Sequence, residues 1–240
     1  MGGFILGIAS SLVAALLTVA AGWAASRRMR NWPLIILSAM TGLGARRSYP
    51  AQRLANLDLA ADLAAARWVK VMAGRGNELT RDNFRPIWQE ASSHLESVQI
   101  LLPDPYLLEG SYLADREAEI LKYDSGYQPG LLSQQVKANV EYISAIAGKR
   151  PNVELRLFNL PNICRIILTD RVAYLTTYTA SDHGRNAPCT VYRYPGSMYQ
   201  FSARMFAVAW GRATVPRVNG LPTSGRADNH PQAEPPEHSR

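Results

Sequence analysis

This chain of 240 residues has two cysteines, four histidines and no aspartate or glutamate in its first 53 positions. Cys164 and Cys189 allow one disulfide at most. His94, His183, His230 and His238 do not fall at a metal-ligand spacing, so no metal and no other cofactor is expected. The missing acids matter most. The first 53 residues hold six arginines (Arg27, Arg28, Arg30, Arg46, Arg47 and Arg53), whereas the remainder holds 20 basic and 19 acidic residues. Six of the seven units of net positive charge therefore sit in the first quarter. A nucleic-acid binder carries its basic stripe on the folded domain, with aromatics interleaved where it holds single strands. Nothing of the kind is visible here, and a nucleic-acid partner is not expected.

Charge of either sign is absent from "GGFILGIASSLVAALLTVAAGWAA", residues 2–25. That run reaches the roughly 20 residues a helix needs to cross a bilayer, and it ends at an interfacial tryptophan followed directly by "RRMR". A secretory signal peptide would have a basic leading region and a shorter apolar stretch. The sequence therefore predicts a transmembrane anchor over 1–26. The trailing arginines predict a single-pass protein of the cell membrane with its C-terminal domain in the cytoplasm, where thiols stay reduced. The apolar run Pro33–Gly44 is too short to span unaided. It lies in the interface, re-enters, or makes a second short span. A juxtamembrane basic and amphipathic helical region is expected over 27–82, with Leu54, Leu57, Leu59, Leu63, Trp68 and Val69 on one helical face from Pro50 to about Met72. "GRGN" at Gly74–Asn77 reads as a loop, and not as a phosphate loop, because no strand is expected before it.

The remainder predicts an α/β domain over 83–215. "SVQILLPDPY" gives a strand at Val98–Leu102 and "NVELRLFNL" another, with helices at Asp115–Tyr123 and Leu131–Ala147 between them. "RIILTD" and "VAYLTTYT" form a hairpin around Asp170 and Arg171, and "MYQFSARMFAVAWGRAT" closes the domain as a helix. From 216 to 240 the chain lacks the apolar residues to fold and is expected to be disordered.

"VELRLFNLPNICRIILTDRVAYLTTYTAS" resembles the core of the phospholipase D superfamily, whose His-x-Lys-x-x-x-x-Asp motif opens a β-hairpin. With Asp170 on the motif aspartate, Arg165 stands at the lysine and Ile163 at the histidine. The resemblance covers Val98–Arg212, less than half of the chain. It implies a phospholipase D-like mixed sheet flanked by helices, which here would follow the N-terminal transmembrane helix read from the apolar run, an α/β fold in all. It also implies a chemistry, in which the histidine is the nucleophile, the lysine binds phosphate oxygens and the aspartate supports the histidine. Isoleucine can neither attack nor move a proton, so the catalytic set is degenerate.

Arginine keeps its charge and offers a planar fork for phosphate or carboxylate. Arg165 is either an anion ligand beside Thr176 and Thr177, which stand at the family's polar strand end, or an ordinary exposed strand residue, with Asp170 a plain turn residue. On the loop "SDHGRNAPC", His183 and Arg185 are further candidates for ligand contact, against the alternative of exposed loop side chains. The resemblance implies two motif copies and the chain has one, which predicts a homodimer joining two half-sites. Two functions follow: a membrane-anchored sensor or binding module for a phosphorylated or anionic small molecule or lipid, as in bacterial signalling or defence effectors, or a phosphodiesterase or phospholipase-type hydrolase with an unorthodox catalyst such as His183.

Overall fold

The computed structural model describes residues 11, 13–19, 22, 31–80, 82–89, 94–107, 109–161, 163–178, 184–218 and 221–222. Most of the predicted anchor, His183 and nearly all of the C-terminal segment lie outside them. Among the described residues no helix is long and apolar enough to cross a membrane.

Among the described residues, seven strands form one mixed sheet whose central strands are buried on both faces. Its strands, in chain order, are β1 (Ala45–Tyr49), β2 (Trp68–Met72), β3 (Ser97–Pro103), β4 (Val153–Phe158), β5 (Cys164–Thr169), β6 (Val172–Thr177) and β7 (Cys189–Arg193). Their spatial order is β1-β7-β6-β5-β2-β3-β4. Strands β2, β3 and β4 run parallel, and β5 turns the sheet antiparallel from there to the β1 edge. The β5–β6 hairpin forms where the sequence predicts it, pinned by Thr169 Oγ1, which accepts the Val172 amide at 3.1 Å and the Arg171 amide at 3.2 Å.

Helices cover both faces. On one lie α2 (Asn56–Ala64), the single turn α3 (Arg85–Trp88), α4 (Tyr112–Tyr123) and α5 (Leu131–Ala147). Leu59, Leu63, Ile120, Val136 and Val140 from these helices pack on Val69, Val98, Ile100 and Ile167 of the sheet. On the other face α6 (Ser197–Arg212) sets Tyr199 and Phe206 against Ile166, Leu168 and Leu175. Ser111 caps α4 by accepting the Ala114 amide, with Asp115 in the first turn and Lys122 in the last, as the helix dipole favours. The helix ahead of the sheet, α1 (Trp32–Thr41), rests on β1, where Ser38 Oγ accepts the Ala45 amide.

The sheet begins before the boundary expected at 83. The helix predicted from Pro50 to Met72 is a 3-10 turn (Gln52–Ala55), then α2, then β2, so Trp68 and Val69 belong to a strand. Arg46 and Arg47, expected in a juxtamembrane segment, lie on β1. There Arg47 pairs with Asp58 at 3.0 Å and Tyr49 donates to the same carboxylate. Gly44 and Gly196 let α1 and α6 approach: a Cβ on Gly44, at φ +79°, would lie 2.7 Å from the Gly196 Cα.

Candidate functional site

Alternation along β5 decides what its side chains meet. Cys164, Ile166 and Leu168 pack toward α6, which turns Arg165, Ile167 and Thr169 to the four-helix face. Arg165 is 5 % exposed, so it is not the exposed strand residue of the bland alternative. It lines a cavity of about 310 Å³ beside the loop that leaves the C-terminal end of β2. A strand does precede "GRGN", contrary to the sequence reading. The loop is held in place by Asn139 of α5, which donates from Nδ2 to the Arg75 carbonyl at 2.9 Å and to Asn77 Oδ1 at 2.6 Å. The mouths of open α/β sheets at the carboxyl ends of parallel strands are where such folds place ligands.

The cavity combines cationic and apolar side chains in its lining. Arg75, Arg116, Arg165 and Arg185 line it, against the carboxylates Glu78 and Asp124, while Leu79, Phe84, Ile120 and Leu132 supply apolar surface. Arg75 lies 5.9 Å from the Tyr127 ring centroid and donates to its hydroxyl at 3.4 Å. Arg116, 8 % exposed, donates to Glu119 at 2.8 Å and to the Tyr123 hydroxyl at 3.4 Å.

Arg165 is clamped from two sides. Its guanidinium donates to Glu78. Gln52, buried beneath the pair, with its carboxamide turned to suit both neighbours, donates to Glu78 Oε1 at 2.8 Å and accepts from Arg165 Nη2 at 2.8 Å. Arg165 Nε is buried and has no hydrogen-bond partner among the described residues. Burial works against the charge of Arg165, and the nearby Tyr178 and Cys189 favour it. Burial likewise pushes the Tyr178 phenol up, opposed by Arg165, the Gly74 amide and Arg116. Arg165 and Tyr178 thus belong to one electrostatic cluster.

The predicted site residues separate by end and by face. Arg165 and Arg185 line the cavity. Thr176 stands beside Arg165 in register and is fully buried, with its hydroxyl against the Cys189 thiol of the neighbouring strand. Thr177, opposite Cys164, is exposed on the other face. Asp170 is at the far end of β5, five residues from Arg165 and so about 16 Å along the strand. It accepts the Arg67 amide at 3.0 Å and lies 3.8 Å from Arg171. It holds the hairpin to the neighbouring strand and does not face the cavity. His183 lies outside the described residues. Ile163, at the position of the family's histidine, is 62 % exposed just before β5.

Sequence reading missed Gln52, Glu78, Arg75, Arg116 and Tyr178. One of these left a local trace: Leu113, Arg116 and Ile120 recur at helical spacing, which places a cation on an otherwise apolar face.

No protein-family model matches the chain, and no curated protein sequence matches it. Among solved structures it is similar to TrmBL2, an archaeal chromatin protein, at 12% identity and a TM-score of 0.44, over 88% of this chain and 70% of that one. It is similar to NucT from Helicobacter pylori at 16% identity and a TM-score of 0.43, over 69% and 92%. It is similar to Nuc from Salmonella typhimurium, a phospholipase D family member, at 13% identity and a TM-score of 0.41, over 68% and 91%. At such scores the likeness assigns neither a family nor an activity.

Proposed function

We propose that this protein is a membrane-anchored binding module of degenerate phospholipase D-like fold, which holds a phosphorylated or otherwise anionic ligand at Arg165 and passes the bound state to its membrane segment. One observation carries the reading: a guanidinium only 5 % exposed, on a cavity lined by three further arginines, keeps an N–H that no group among the described residues accepts. A buried donor without an acceptor costs about 1–3 kcal/mol, more on a charged group, and an anion in the cavity recovers that cost. Ile163, where the family's histidine would stand, favours binding over turnover. The membrane assignment draws support from α1, which has no charged residue and leaves Trp32, Ile36, Leu37 and Met40 exposed. Such a helix suits an interface. The single motif copy supports a twofold homodimer with the domains on the cytoplasmic side.

The test uses the full chain in detergent, screened against nucleotides and phospholipids by thermal shift and by product assay. Stabilisation without turnover, lost in Arg165→Ala and weakened in Arg165→Lys, is the expected result. Turnover abolished by His183→Ala would overturn the binding reading in favour of a hydrolase.

A further inference from the structure

We propose that the cavity takes a phosphate monoester as its dianion, and that this ligand displaces the Glu78 carboxylate from Arg165. The inference rests on the anion-binding reading above and narrows it to one chemical class.

Glu78 already does at Arg165 what a ligand's oxygen would do. It reaches the guanidinium from the loop after β2, and Gln52 holds the pair together from below. Yet its side chain is 28% exposed, against 6% for Arg165, so water reaches the carboxylate and can solvate it when the side chain turns away from the guanidinium. Arg165 itself is fixed in the sheet and cannot follow. The site is thus built around a rigid buried cation whose present partner is replaceable.

The charges of the wall decide what can replace it. A singly charged ligand in the place of Glu78 exchanges one negative charge for another and gains little. A dianion brings one charge more, and the wall has cations to receive it: Arg75 and Arg185 form no ion pair among the described residues. Arg165 Nε supplies a donor that neither Glu78 nor Gln52 satisfies. A phosphate monoester presents three terminal oxygens and close to two charges at neutral pH and above, whereas a diester presents two terminal oxygens and one charge. The ester's organic group has an apolar wall to rest on, formed by Leu79, Phe84 and Ile120.

The experiment measures binding of methyl phosphate and dimethyl phosphate to the full chain in detergent at pH 8 by calorimetry, for the wild type and Glu78→Gln. The wild type should bind the monoester at least about tenfold more tightly than the diester, as an added charge-assisted contact implies. Glu78→Gln preserves shape and removes the competing charge, so it should tighten both esters by about tenfold. Equal wild-type affinity for the two esters would overturn the monoester assignment while leaving the anion site standing. Unchanged or weaker binding by Glu78→Gln would overturn the displacement. Silence of both proteins toward both esters would overturn this inference and the anion site together. The wild-type ratio needs no variant to fold.

Discussion

At its first turn of side chains β5 carries Arg165, enclosed, clamped by Glu78 and Gln52 and facing a cavity of arginines. Beyond its last residue the same chain carries Asp170, which accepts the Arg67 amide and borders Arg171, whose guanidinium donates to the Ala65 carbonyl. Both residues belong to one motif-like spacing, yet the first is surrounded by groups that a ligand could replace and the second by backbone that it could not. Shared spacing along a strand reports a shared element, and the role of each residue follows from which end it occupies.

Removal of the cavity-end charge should do the most damage. Arg165→Ala strands Glu78 beside a buried Gln52. Loss of one partner of a fully buried pair costs about 3–5 kcal/mol, and the partial exposure of Glu78 reduces that to about 2–3 kcal/mol. Urea melts should show the loss, and thermal shift should show no remaining response to anions.

The hairpin end should answer to alkali instead. Tyr199 of α6 donates to the Thr169 carbonyl at 2.7 Å, next to Asp170, and its phenol is pushed up to about 12, mainly by burial and then by that carboxylate. A raised phenol stabilises the fold fully below its unfolded value of about 10, and the contribution falls away as pH climbs through about 12. Tyr49, also pushed to about 12 through burial and Asp58, adds to the same fall. Tyr199→Phe should flatten the alkaline limb of a stability–pH curve and leave anion binding untouched. A lesser effect is expected from Asp170→Ala, about 1 kcal/mol from the lost hydrogen bond, again with anion binding unchanged. Loss of anion binding in that variant would erase the distinction between the two ends.

Much of the sheet is legible in the sequence because several of its strands carry a clear apolar pattern. Val98–Leu102, Val153–Phe158 and the β5–β6 hairpin announce themselves by burial-driven composition and by the turn between them. The strands that went unseen lack that contrast. β1 reads ARRSY, two arginines on an edge strand, and β7 follows a polar loop. β2 hides behind α2 because the helix ends at Ala64–Ala65 with no glycine or proline to mark its stop. The site was legible at Arg165, at its neighbour Thr176 and at Arg185. Glu78, the partner of Arg165, lies 87 positions away in sequence, and no local pattern connects residues at that separation.

Thr176 and Thr177 refine the comparison at the cavity end, where face matters as much as end. They are adjacent and both near Arg165, but Thr176 is fully buried beside it with its hydroxyl against the Cys189 thiol, and Thr177 stands exposed on the opposite face. Thr176→Val keeps the shape and removes a buried hydroxyl whose partner is the Cys189 thiol, a weak acceptor, and should change stability by no more than about 1 kcal/mol. Thr177→Ala should change stability by no more than about 0.5 kcal/mol. Chemical denaturation of the two single variants separates these outcomes. If Thr177→Ala weakened anion binding while Thr176→Val did not, the ligand would have to reach the α6 face, and the cavity beside Arg165 would not be the place where it binds.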